Sequence, residues 1–239
     1  MTWRILSRLI AVVALTAWIL LSASTAFAGE ANSRPDCRSA LAANDNPAAA
    51  RRAIRACNLE LGNGELSAQR RAELLVHRAT AYGYAQEGER AAADLVAARA
   101  MSPADPWLAR MIGETYVQLG RFADAERELA GAIELEPHPA AFQARCAVRM
   151  ETKRYLEALA DCETAHSADP SSRSAVLTAQ IYRELGRHAS AMALLENAVA
   201  SRYSDAATLR LLSSLYDEAG RSADALRITA MRRRAPAPR

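Results

Sequence analysis

A spacing of 34 residues constrains this chain more than any other feature. At that distance Ala79 is followed by Gly113, Tyr82 by Tyr116, Ala91 by Ala125, Leu95 by Leu129, Ala98 by Ala132 and Pro103 by Pro137. A repeated offset of this size marks an array of stacked helical or strand units, each too small to close a core alone. The clearest unit runs from Pro106 to Pro139. Two helical patterns are separated by Gly120: the first carries Ile112, Gly113 and Tyr116, the second Ala125, Leu129 and Ala132, and Pro137 ends it. The pattern returns as Ala179, Tyr182, Gly186, Ala191, Leu195 and Ala198, and again as Leu212, Ser213, Tyr216, Gly220 and Ala225. Ala, Leu, Arg and Glu dominate between these positions, and all four are good helix formers.

These residues resemble the tetratricopeptide repeat, a helix–turn–helix with small, large and Pro residues at fixed offsets. The resemblance implies an all-α fold, an α-α superhelix wound as a right-handed solenoid of about five to six hairpins. It implies partner binding and no reaction. The hairpins expected are 72–105, 106–138, 139–171, 172–205 and 206–234, preceded by a degenerate one within 29–71. Ser67 is the expected N-cap of the helix that follows Gly62-Asn63-Gly64. At the turn of the 72–105 hairpin Gln86 replaces glycine and Gly88 comes two residues later, so that turn is expected to be shifted or extended. The last helix, 219–234, is expected to carry Leu226 and Ile228 inward and arginines outward as a solvating cap. The tail 235–239, Ala-Pro-Ala-Pro-Arg, cannot continue a helix and is expected to be disordered.

Residues 1–28 read as an export signal. Arg4 and Arg8 precede an apolar stretch from Leu9 to Leu21, and Ala26-Phe27-Ala28 fits a small-x-small cleavage site. The mature chain is then expected to start near Gly29, in the periplasm or outside the cell. The alternative is a retained membrane anchor. Export gives the four cysteines a meaning, since an even number in an oxidising compartment favours disulfides. Cys146 and Cys162 lie equally far from Arg154 at a turn, and Cys37 and Cys57 equally far from Pro47. Residues equidistant from the turn of an antiparallel pair face each other, so the expected pairs are Cys37–Cys57 and Cys146–Cys162. The alternative is four small buried thiols.

No phosphate loop, His-Glu-x-x-His or nucleophile elbow is present, so neither enzyme activity nor a cofactor is expected. Cys162-x-x-x-His166 opposite Cys146 is the nearest approach to a metal site, and it falls short of four ligands. Glu126 and Glu128 read as a solvated helix face. The formal charge of +3 falls to +1 without Arg4 and Arg8, which gives no reason to expect nucleic acid or, after cleavage, a membrane as partner. Lys153 is the sole lysine among the basic residues.

By the resemblance, the second, fifth, ninth and twelfth positions of each first helix line a concave groove. These are Glu73, Val76 and Thr80; Trp107, Arg110, Glu114 and Val117; Gln143 and Met150; Arg173, Val176, Gln180 and Arg183; and Arg210, Ser214 and Asp217. The family's clamp for a peptide carboxylate uses Lys and Asn here, and this chain has neither. The expected occupant is a protein or extended peptide with acidic character. Gln143 and Gln180 suit its backbone, Trp107 an apolar anchor, and the arginines its charge.

Overall fold

The computed structural model describes residues 36–42 and 47–234; the leader 1–28, the chain break Asn44-Asp45-Asn46 and the tail 235–239 lie outside the described residues. Within them are twelve helices and no strand. They are α1 (Cys37–Ala42), α2 (Pro47–Leu61), α3 (Ala68–Tyr84), α4 (Gly88–Met101), α5 (Pro106–Gln118), α6 (Phe122–Leu135), α7 (Pro139–Glu151), α8 (Tyr155–Ala168), α9 (Ser172–Glu184), α10 (His188–Ala200), α11 (Ala206–Glu218) and α12 (Ser222–Arg234). Consecutive helices pair as hairpins. Each first helix also touches the first helix of the next hairpin, and each second helix touches the first helix after it. The result is an all-α repeat solenoid in which a hairpin meets only its neighbours.

First helices start at capping residues. Ser67, Asp105, Ser171 and Asp205 each accept a hydrogen bond from a free N–H of the first turn, and Pro106 and Pro139 occupy early positions that need no donor. The turns inside the hairpins close alike. Gly120, at φ 69°, donates to the Val117 carbonyl, and Arg121 reaches back to the Tyr116 carbonyl at 2.9 Å. Gln86 does the same at φ 61°, with Glu87 bonded to Tyr82 at 2.9 Å, and so does Lys153 at φ 60°. The turn at Gln86 is therefore neither shifted nor extended. Two backbone bonds satisfy carbonyls at the end of α3, and they outweigh the cost of about 1–2 kcal/mol for a side chain in the left-handed region.

Within each hairpin after the first, the helices meet at a contact between residues sixteen apart. A Cβ built on Gly113 meets Leu129 Cγ at 2.6 Å, so glycine is what lets α5 and α6 approach. Ala79 and Leu95 are buried in one apolar cluster, Ala179 and Leu195 in another. In the last hairpin two small residues meet instead, and Ser213 Oγ lies 3.1 Å from Thr229 Oγ1. In the fourth the contact is covalent: Cys146 and Cys162 are bridged across α7 and α8, 5.5 Å apart at Cα and fully buried. A second bridge, Cys37–Cys57, joins α1 to α2.

Two expectations are corrected. Leu226 is 71% exposed, whereas Ile228 is buried. At the position of Leu226 on earlier second helices, Ala92 and Leu159 are buried, the latter in a cluster with Ile181 of the following hairpin, and no described helix comes after α12. Glu126 and Glu128 are half-buried and not a solvated face; they tie adjacent hairpins together through Arg149, Arg154 and Arg99.

Three stability measurements test this packing. Gly113→Ala should lose roughly 1–3 kcal/mol in urea unfolding because Leu129 must move. Gly131→Ala, whose new methyl would meet only Arg99 at 3.6 Å, should gain up to about 1 kcal/mol from helix propensity. At the covalent contact, Cys146→Ala/Cys162→Leu restores the small–large pair. It should be more stable than Cys146→Ala/Cys162→Ala by about 2 kcal/mol, at the low end for filling a leucine-sized space.

Candidate functional site

The row of first helices α3, α5, α7, α9 and α11 carries the residues assigned to the groove, and their surroundings differ sharply. Trp107, at the start of α5 where Asp105 and Pro106 set the helix, is 41% exposed. It borders a cavity of about 140 Å³ shared with Pro106, Arg110, Ala132, Glu136, His138 and Ala141. The walls therefore come from the starts of α5 and α7 and the end of α6. His138 is oriented by its role as N-cap of α7, with Nδ1 accepting from the Ala140 N–H at 3.2 Å. Glu136, His138 and Ala141 were missed in the sequence because they belong to the inter-hairpin turn and to a helix position outside the four counted as groove positions.

The arginines of this row fall into three states. Arg110 is held by Glu114 one helical turn on, at 2.5 Å, so that pair offers little net charge. Arg183 lies 3.9 Å from Glu184 and 4.0 Å from Glu218, and Ser214 also bonds Glu218. Arg173 on α9 and Arg210 on α11 are exposed and make no ion pair among the described residues. The positive character of the row thus sits on the last two hairpins. Gln143 and Gln180 are half-buried. Val76 is fully buried and packs in the core, which removes it from the groove. Thr80 Oγ1 lies 3.2 Å from Thr115 Oγ1, bridging α3 to α5.

On the other side of the first helices lies a charge network that the sequence did not suggest. Asp161, nearly buried on α8, receives a two-pronged bond from Arg145 at 2.7 and 2.8 Å and a third from Arg149 at 2.8 Å. Arg149 occupies the position of Tyr82, Tyr116, Tyr182 and Tyr216. It also bonds Glu126 at 2.9 Å, and Arg154 completes that carboxylate's partners. Arg78 and Asp94 repeat the Arg145–Asp161 fork in the second hairpin, with both bonds at 2.7 Å. At two other hairpins a tyrosine makes the connection: Tyr182 bonds Glu163 and Tyr216 bonds Glu196, both at 2.5 Å. The Glu163 bond, and for Tyr216 burial together with Glu196, push both phenols up to about 12.

With Cys146 and Cys162 bridged, no thiolate faces His166, which instead bonds Ser174 at 2.8 Å. Among the described residues no three His, Cys, Asp or Glu side chains are grouped to hold a metal. None of the described helices is long and apolar enough to cross a membrane.

Family models of the tetratricopeptide repeat match residues 84–147 and 173–205. No curated protein matches the sequence. Solved structures share the fold at low identity. A tetratricopeptide repeat protein from Parabacteroides merdae is 14% identical with a TM-score of 0.62, covering 80% of this chain and 75% of its own. PilW, a type IV pilus biogenesis factor, is 16% identical with a TM-score of 0.64 over 77% and 84%. MamA from Desulfovibrio magneticus is 18% identical with a TM-score of 0.59 over 70% and 95%.

The inter-hairpin network has a pH signature. Burial pushes the Glu126 carboxyl up, but the bonds from Arg154 and Arg149 overcome this and hold it below its ordinary 4.5. A carboxyl lowered in the folded state stabilises above its unfolded value and loses that contribution as acid protonates it. The stability gap between the wild type and Glu126→Gln, followed by urea unfolding, should be constant above about pH 5. It should shrink steadily as the pH falls below 4.5.

Proposed function

We propose, from the premise that the chain is a tetratricopeptide repeat protein, that it is a non-catalytic exported scaffold holding an extended protein segment along its first helices. Proteins of this family are generally interaction modules that bind proteins or peptides without reacting with them. One observation carries the reading for this chain. An exposed tryptophan beside a cavity and two unpaired arginines lie along one row of first helices that spans four hairpins. An exposed Trp next to a partly enclosed apolar space is the usual form of an anchor point, and an Arg without an internal partner is free to fork onto a carboxylate. The segment this suits has an apolar side chain for Trp107 and acidic residues beyond it for Arg173 and Arg210. Gln143, Gln180, Arg110, Glu114 and Arg183 lie between or beside these points and suit backbone and polar contacts.

Export is supported by the leader pattern, and two buried disulfides are compatible with a compartment outside the cytoplasm. A role in assembly or maintenance of the cell envelope is in keeping with the likeness to PilW, a pilus biogenesis factor. The second reading is a subunit of an envelope, secretion or enzyme complex that keeps its N-terminal apolar stretch as an anchor. Mass spectrometry of the N-terminus of protein purified from its native host separates the two, since a start near Gly29 removes the anchored version.

The groove is tested with the segment captured by crosslinking in the native envelope. Trp107→Ala should weaken its binding about 30-fold, the scale of a hot-spot aromatic. Arg173→Glu/Arg210→Glu should weaken it at least tenfold at low salt and less at high salt. Unchanged affinity in both variants sinks the assignment of this face.

A further inference from the structure

The arginines of this chain are not distributed evenly between bonded and free. Every arginine from Arg70 to Arg154 has a carboxylate or carbonyl partner: Arg71 bonds the Leu61 and Asn63 carbonyls, and the others make ion pairs. The first hairpin is the reverse. On α2 the residues Ala48, Arg51, Arg52, Arg55, Asn58 and Leu59 are all exposed, and their spacing puts them on one helix face about 16 Å long. Its three arginines make no hydrogen bond or ion pair among the described residues. Leu59, at the end of the stripe, is 64% exposed. The opposite face of the same helix, with Ala49, Ala50, Ala53 and Cys57, is buried. At one outward position the later second helices carry Ala93 on α4, Ala160 on α8 and Ala193 on α10, and on α6 and α12 Arg127 and Arg227, each of which is paired with an aspartate of its own helix, Asp124 or Asp224.

We infer that the Arg51–Arg52–Arg55 face of α2 docks the first hairpin on an anionic phospholipid surface. The near-neutral net charge hides this because the acids that balance it lie elsewhere in the array. The place of the stripe in the chain favours lipid phosphates over an acidic protein. No bond fixes any of the three guanidinia, so all three charges are available to headgroups, which move in a fluid layer to meet them. The same hairpin is also the one joined to the apolar Leu9–Leu21 stretch, whose pattern brings it to a bilayer either during export or as a retained anchor. Three arginines alone bind weakly and reversibly, so the stripe holds the array close to a membrane without inserting it. This surface is separate from the groove, whose free arginines are on α9 and α11.

The test uses the full chain with vesicles of phosphatidylcholine, alone or mixed with phosphatidylglycerol. The apolar stretch and Arg4 and Arg8 are common to all variants, so the readout is the preference for the anionic vesicles relative to the neutral ones. Arg51→Gln/Arg52→Gln/Arg55→Gln should lose about a hundredfold of that preference at low salt, with the circular dichroism and melting temperature of the wild type retained. The wild-type preference should itself shrink as salt is raised. Arg173→Glu/Arg210→Glu should keep it whether or not the groove binds a peptide, which separates failure here from failure of the groove. An equal preference in the wild type and the triple glutamine variant overturns the inference. So does salt-sensitive binding to polyglutamate without preference for anionic vesicles, which would assign the stripe to an acidic polypeptide.

Discussion

The contact between residues sixteen apart is the constraint on which the array depends. It fixes how closely the two helices of a hairpin approach, and that distance sets the surface each hairpin presents to the next. The chain meets the requirement in several chemical ways. Gly113 makes room for Leu129, Ala79 and Ala179 face Leu95 and Leu195, Ser213 and Thr229 share a hydroxyl contact, and Cys146 is bonded to Cys162. One geometry is served by dispersion, by a hydrogen bond and by a covalent bond. What persists is therefore the distance between helix axes, and the residue types are solutions to it.

The fourth hairpin bears the consequence of giving up apolar packing. The apolar clusters of the earlier and later hairpins are separated there by a smaller one around Cys146, Ala158, Leu159, Cys162 and Ile181. Arg149 stands where its neighbours have tyrosine, and a guanidinium cannot be buried without carboxylates. Asp161 and Glu126 supply them, the second from the preceding hairpin. A buried ion network of this kind adds less net stability than apolar packing would, while losing one partner strands the other. The disulfide offsets the deficit by restricting the unfolded chain, by an amount on the order of 3 kcal/mol for a loop this long. Charge and cross-link belong together in this hairpin because neither fills the space that a tyrosine and a leucine fill elsewhere.

The repeat, the helix pairs and the cap at Ser67 were legible because they rest on spacing and on single residues with one strong local preference. Three readings failed where a neighbour outweighed the local signal. Gln86 suggested a displaced turn, yet the backbone bonds of Gly83 and Tyr82 hold it in glycine's place. Glu126 and Glu128 suggested a wet face, and only the next hairpin shows that arginines reach them. Leu226 suggested an inward residue, and the position is inward only where another hairpin covers it. In the groove, register said which side chains share a row but not what each was already bonded to. Arg110 is engaged by Glu114 and Val76 is covered, while Arg173 and Arg210 are free. The cavity beside Trp107 draws on Glu136 and His138 from a turn that no helical register describes.

In a chain whose basic residues are nearly all arginine, the presence of an arginine says little, and its partner says more. The planar fork suits it to bridge elements, and from Arg70 to Arg154 that is how it is used, both within hairpins and between them. These residues are consumed by the fold and have no charge to offer a ligand. An exposed arginine that forms no bond contributes nothing to the folded state and keeps its full reach and entropy. Such residues fall at the two ends of the described array: Arg38, Arg51, Arg52 and Arg55 in the first hairpin, and Arg173, Arg187, Arg202, Arg210 and Arg232 in the last two. Both groups lie on surfaces that the stacking of hairpins leaves open. Counting charges across the whole chain averages bonded and free arginines together and gives a nearly neutral protein. Sorting them by what they already hold gives a neutral middle and two positive surfaces, and it is those surfaces that can distinguish one acidic partner from another.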